Sequence, residues 1–286
     1  MKRTERITIT PEMAKNVLET SNPDNRPISP REVDMLAREM EAGRFKDNGD
    51  TFKFDTTGRL LDGQHRLAAI AKSGIPLIDA IIVYGISPDA VDTIDSGRKR
   101  SASDKAKFRG LAMTRNYASV ARNRIQYLIG DLSSNRIISD LELLELFTEK
   151  QDLFQNSYSM AMKIYNSPLK IMPCPFAAVL SFVIEYDSDA ASGIVKKLYS
   201  GEGLVKGDPC LLYRKTVAKF TSGPRGRWDR RCFMNLTVGM FNLALQGKKA
   251  GRSFDVETNT SLFFVPVTKG AFSASEAKKE CQPAKS

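Results

Sequence analysis

The segment Leu60–Ile70, LLDGQHRLAAI, most constrains what this chain can fold into. An apolar strand runs into Asp62-Gly63, and a helical pattern starts at Gln64 or His65 with no room for a loop between them. Gly63 lets the backbone approach a ligand closely. The free amides at a helix start favour an anion. Arg66, in the first turn, adds a forked cation suited to phosphate oxygens. Asp62 can hold a metal ion or orient a nucleophile, and His65, the sole histidine, can bond a phosphate or act as acid or base. Together these residue types point to a nucleotide or phosphate site, with Asp62, His65 and Arg66 as catalytic candidates and Asp62 as a candidate metal ligand. The alternative is that Asp62 only caps a helix, Gly63 only turns the chain, and His65 and Arg66 are surface groups. No GxxxxGK[ST] or GxGxxG pattern occurs, so the sequence supports neither a P-loop kinase nor a Rossmann dehydrogenase.

Around this segment the first hundred residues read as α+β. Thr10-Pro11-Glu12 opens a helix that ends near Ser21, and Ser29-Pro30-Arg31-Glu32 opens another that Gly43 stops. Thr51–Asp55 (TFKFD) and Arg59-Leu60-Leu61 fit a hairpin, and Ile78–Tyr84 reads as a buried strand. A short helix runs from Ser87 through Ile94. From Ser103 the pattern turns helical, with helices over 103–109, 113–130, 139–148, 150–166, 173–185, 187–199, 209–221 and 228–247. Phe254–Val267 reads as β-prone or extended chain. The expected organisation is an α+β domain over 1–102, a mostly α-helical domain over 103–270 and a disordered tail over 271–286.

Charge is what sets the second part apart. The chain carries +10 overall, but residues 98–136 hold ten basic and two acidic side chains, and residues 214–231 hold seven and one. The first cluster includes Arg98, Lys99, Arg100, Lys105, Lys107 and Arg109, and the second Arg225, Arg227, Arg230 and Arg231 beside Trp228. Clustered cations with an aromatic suit phosphate contacts and base stacking, so DNA or RNA is the expected partner. The plainer reading of either cluster is a solvated face. A turn at Asp92, Asp95, Ser96, Gly97, Arg98 and Arg100 can cradle a phosphate, or be only a basic linker. The stretch GEGLVKGDP (201–209) reads as a helix–helix connection with Asp208 as cap.

The four cysteines, Cys174, Cys210, Cys232 and Cys281, form no CxxC pair, so buried free thiols are expected rather than a zinc site. No apolar run reaches the ~18 residues of a spanning helix, so no membrane is expected as a partner. The basic start MKRTERITIT has no apolar segment behind it, which sets the expectation of a cytosolic protein. Whether the chain forms a homo-oligomer stays open.

NRPISPREVDMLAREMEAGRF, FDTTGRLLDGQHRLAAI and VDTIDSGRKRSASD, over about residues 5–105, resemble the ParB/sulfiredoxin-like superfamily. They are especially similar to phage and bacterial proteins labelled ParB-like nuclease domain proteins. The superfamily includes CTP-hydrolysing partition proteins, sulfiredoxins and a free-serine kinase. The resemblance implies that Gly63, Gln64, His65 and Arg66 form a phosphate-binding turn for a nucleoside triphosphate, ATP or CTP, with magnesium. It implies in turn a nucleotide hydrolase or phosphotransferase associated with nucleic acid. A non-catalytic DNA-binding or regulatory protein is the alternative, and a metal-dependent nuclease the third reading. Sulfiredoxin has a catalytic cysteine where Gln64-His65 stand here, and partition ParB has a more arginine-rich motif. The acidic residue that relatives use is to be sought among Glu32, Asp55, Asp62 and Asp95.

Overall fold

The computed structural model describes residues 2–23, 25–46, 48–94, 100–133, 135–221, 229–254 and 261–265. The chain divides into two compact units, Met1–Lys99 and Arg100–Ser286, and the fold is α+β with a helical portion.

In the first unit, β1 (Arg3–Ile9), α1 (Pro11–Thr20) and α2 (Pro30–Glu41) precede β2 (Thr51–Asp55), β3 (Leu60–Asp62), α3 (Gln64–Ser73) and β4 (Leu77–Ile86). A 3-10 helix over Pro88–Thr93 follows. Both early helices start at the expected caps: Thr10 accepts from the Met13 amide and Ser29 from the Glu32 amide, with proline just inside each start. The strand order is β1-β4-β2-β3, with β4 antiparallel to β1 and parallel to β2. A parallel pair needs a crossover of roughly a dozen residues or more, and here the chain makes it through β3 and α3. That crossover is why the Asp62-Gly63 turn sits inside the unit. Phe52, Phe54, Leu60, Leu67, Ile70 and Ile82 are core residues there.

Two readings are corrected. β1 was not expected, because Arg3–Ile9 is mostly exposed and shows no run of buried positions; pairing with β4 on the sheet edge organises it. The strand expected to be buried over Ile78–Tyr84 runs from Leu77 to Ile86 and is only partly covered. Ala80 and Ile82 are buried on one face, while Ile78 is 71% exposed. An apolar run in sequence does not distinguish a strand covered on both faces from one covered on a single face.

Asp55 locks the β2–β3 hairpin. Its carboxylate accepts from the Thr57 amide (2.8 Å) and hydroxyl (2.7 Å) and from the Arg59 amide (2.9 Å), and pairs with the Arg59 Nε at 3.1 Å. Burial pushes its pKa up, but those bonds and the Arg59 charge outweigh it and hold the group down, from 3.8 to about 2. A depressed folded pKa gives stability that is full above about pH 3.8 and is lost as pH falls through about 2. Asp55→Asn should therefore flatten the acid limb of a stability–pH curve, and Asp55→Ala should cost about 2–3 kcal/mol in urea unfolding. An unchanged acid limb in the Asn variant would remove Asp55 from this role.

The second unit is helical: α4 (Ala102–Phe108), α5 (Arg115–Leu128), α6 (Asp140–Glu149), α7 (Gln151–Tyr165), α8 (Pro173–Tyr186), α9 (Ser188–Ser200), α10 (Pro209–Thr221) and α11 (Arg230–Leu245). These coincide, within a few residues at each end, with the helices the periodicity predicts. Capping boxes at Ser101–Asp104 and Ser139–Glu142 fix two of the starts. α8 is buried without interruption from Pro175 to Val183 and packs against α5, α7, α9 and α11. A helix apolar all round belongs at the centre of a core. Asp208 accepts from the Cys210 amide (2.8 Å), so the 201–209 stretch is the helix connection its sequence suggests. Of the chain beyond α11, the described part holds one bridge, Leu262 with Val265. The tail over 271–286 lies outside the described residues.

Candidate functional site

Gly63 is the N-cap of α3, buried, with φ 108° and ψ 3°. A side chain is excluded there for two reasons: the backbone is left-handed, and a Cβ would stand 2.5 Å from the Phe52 ring. With glycine at the cap, the cap residue itself gives the first turn of α3 no side-chain hydrogen bond. This gives the helix start the anion-favouring polarity that its sequence suggests.

The four polar side chains of the motif are all engaged inside the unit. Asp62 lies across from Lys53 on the neighbouring strand, with Nζ at 2.5 Å, and Arg66 approaches the same carboxylate oxygen at 3.6 Å. Gln64 is buried; its amide donates to the Arg26 carbonyl (3.0 Å) and its oxygen accepts from Asn22 (3.3 Å). His65 Nε2 accepts from the Ser29 amide at 3.0 Å, which requires the neutral ring with its proton on Nδ1. Glu32 Oε2 stands 3.5 Å from the same nitrogen. Arg66 donates to the Thr51 carbonyl (2.7 Å) and stacks on Phe52, 4.4 Å from the ring centroid. His65 and Arg66 are thus mostly buried, at 12% and 15% side-chain exposure, and are not the surface groups of the plainer reading.

Gln64 and His65 thus hold Asn22, Arg26 and Ser29 against the start of α3, and Arg66 ties that start to β2. Lys53 and Arg66 are the two cations that flank Asp62 at this start. A protein-held metal ion does not fit this arrangement. Asp62 is the motif's only carboxylate and is already bracketed by two cations, and among the described residues no group of three or more His, Cys, Asp or Glu is placed to hold an ion. Of the other acidic candidates, Asp55 is locked in its hairpin, Glu32 is half exposed in the first turn of α2, and Asp95 lies outside the described residues.

The basic segments divide in the same way. Arg98, Lys99, Arg225, Arg227 and Trp228 lie outside the described residues. Arg100, Lys107, Arg109 and Arg231 are exposed, and so is Arg115. Lys105 is instead tied to Asp140 at 2.8 Å. Arg230, expected on the nucleic-acid side, turns inward to Gln126 (2.5 Å), Asn123 (3.4 Å) and the Leu132 carbonyl. Arg124 is buried against Glu185 and Ser181. One residue the sequence reading passed over is Phe108, between Lys107 and Arg109 at the end of α4 and 85% exposed. Its signal was an aromatic inside a basic run.

Comparison with protein-family models, with curated proteins and with solved structures returned no match.

Proposed function

We propose that the chain is a nucleic-acid-associated protein whose first unit takes a nucleotide phosphate as a bound ligand at the start of α3. The observation that carries the nucleic-acid part is the run of exposed cations Arg100, Lys107, Arg109 and Arg115 within sixteen residues of the second unit. Four such side chains free of the core can neutralise backbone phosphates and release counterions. The nucleotide part rests on the glycine-started helix with Arg66 and Lys53 beside it, together with the resemblance of DGQHR to the ParB/sulfiredoxin-like turn. ATP or CTP would bring its own magnesium, since the motif has no free carboxylate for one.

Binding without turnover is the better reading, because Asp62 and His65 Nε2 hold the fold. Hydrolysis or phosphate transfer is the second reading, favoured by Arg66 and the helix amides, which can counter charge on a phosphoryl group. A nuclease ranks last for want of a carboxylate cluster among the described residues.

One set of titrations tests both parts. Nucleic-acid affinity of the wild type should fall steeply with salt, and Lys107→Gln with Arg109→Gln should lower the log–log slope by roughly 1.4–1.8. Calorimetry with magnesium–ATP and magnesium–CTP should give micromolar binding, weakened about tenfold in Arg66→Lys, which keeps the charge and loses the fork. Phosphate release in the same samples should stay at background. Binding that ignores salt would overturn the first part, and silence from both nucleotides the second.

A further inference from the structure

We propose that Phe108 is the stacking platform of a single-stranded nucleic-acid site on the second unit. The inference rests on the nucleic-acid reading above and adds the strand state of the partner. Phe108 ends α4, whose buried face is Ala102 and Ala106, one turn apart. Two residues beyond Ala106 the helix has rotated about 200°, so Phe108 points away from the core. It is 85% exposed, while Phe147, Phe154, Phe176, Phe233 and Phe241 of the same unit are at 0–1%. Three cations stand near it, and the one carboxylate a turn earlier, Asp104, is taken up in the Ser101 capping box. Lys107 and Arg109 flank it in sequence and are exposed, and the Arg100 guanidinium lies 5.7 Å from the ring centroid.

An apolar ring framed by exposed cations suits a ligand that offers a flat apolar face and negative charge together. A nucleotide strand has both: the base lies on the ring while its phosphates meet Arg100, Lys107 and Arg109. The base must be unpaired, because in a duplex each base face is already covered by its neighbours. A duplex would need the cations and would have no use for the ring.

The test is fluorescence anisotropy with the full chain, using labelled oligothymidylate, oligouridylate and a mixed-sequence DNA duplex. The variants are Phe108→Ala, Phe108→Trp and Arg109→Gln. Phe108→Ala should weaken binding to both single strands by between about fivefold and a hundredfold, with the salt slope unchanged. Phe108→Trp should restore it, duplex affinity should not move, and Arg109→Gln should lower the salt slope for every ligand. Loss confined to oligothymidylate or to oligouridylate would support the platform and assign it to DNA or to RNA. Single-strand affinity unchanged in Phe108→Ala, or an equal loss on duplex, would overturn the platform and leave the nucleic-acid reading standing. Unchanged affinity with loss of self-association would overturn it in favour of a contact between copies. Wild type that binds none of the three would remove the nucleic-acid reading and the platform with it.

Discussion

Gly63→Ala should destabilise the first unit by about 2–5 kcal/mol. Two costs add at this position. A non-glycine residue at φ 108° carries strain of roughly 1–3 kcal/mol. A methyl group built there meets the Phe52 ring at 2.5 Å, and overpacking of a buried aromatic costs about as much again. Phe52 cannot yield freely, since Arg66 stacks on its ring and bonds the carbonyl of the residue before it. For a domain of this size, 1 kcal/mol corresponds to roughly 4–8 °C in Tm, so a drop of about 10 °C or more is expected. Differential scanning calorimetry is the suitable measurement, because two compact units can melt as separate transitions. The lower Tm should belong to the transition of the first unit alone. A shift of only a degree or two would mean that the turn before α3 is not glycine-dependent, and the reading of the motif as a backbone device would go with it.

Glu185→Ala should cost the second unit about 1–3 kcal/mol, because it strips the buried Arg124 of a partner that itself stands at the surface. Arg124 is 1% exposed, stacks 3.8 Å above the Phe182 ring and donates to Ser181 (2.7 Å) and to Glu185. Lys150 reaches the other Glu185 oxygen at 2.6 Å. Burial pushes the Glu185 pKa up, but the Arg124 charge and the bonds from Lys150 and Arg124 hold it below the usual carboxylate value. Removing the carboxylate leaves a buried guanidinium with no counter-charge, which is what makes the single change costly. Replacing both residues, Arg124→Met with Glu185→Leu, should restore most of the stability, because the desolvation cost of the pair disappears with it. Urea unfolding of the single and double variants forms the cycle. A double variant no better than Glu185→Ala would point to packing of Arg124, rather than its charge, as the dominant contribution. The sign with pH follows: the pair's contribution is present above the ordinary carboxylate range and is lost as pH falls through the lowered Glu185 value.

Much of the fold was legible because its boundaries are written in local chemistry. Thr10 and Ser29 each cap the helix they announce, and Gly74 and Gly201 end helices in the left-handed conformation. β1 was hidden because its pairing depends on β4, more than seventy positions away, and on no pattern of its own. The site was legible in residue type and turn geometry but not in partnership. Nothing in DGQHR says that His65 will accept from Ser29 or that Gln64 will reach Arg26, since those contacts follow from where the 22–29 loop lands. For the same reason Arg230 and Arg231, adjacent in sequence, go to opposite fates, one inward to Gln126 and one to solvent. A basic run gives net charge, and the helix surface decides which charges reach water.

The same 22–29 region has a consequence at the margin of the sheet. β3 is an outer strand, and Leu60 turns its amide and carbonyl away from β2. The amide donates to the Ser21 carbonyl at 2.6 Å, and the carbonyl accepts from Asn25 at 3.1 Å. Both groups that another chain would need for β-augmentation are therefore consumed within the unit. At the opposite margin, β1 presents Arg3, Glu5 and Arg6, and its pairing with β4 shifts register between Ile7 and Ile9. Charges of this kind discourage a template for aggregation. Among the described residues, the sheet of the first unit is therefore a poor template for strand addition, with Leu60 engaged on one margin and charges on the other.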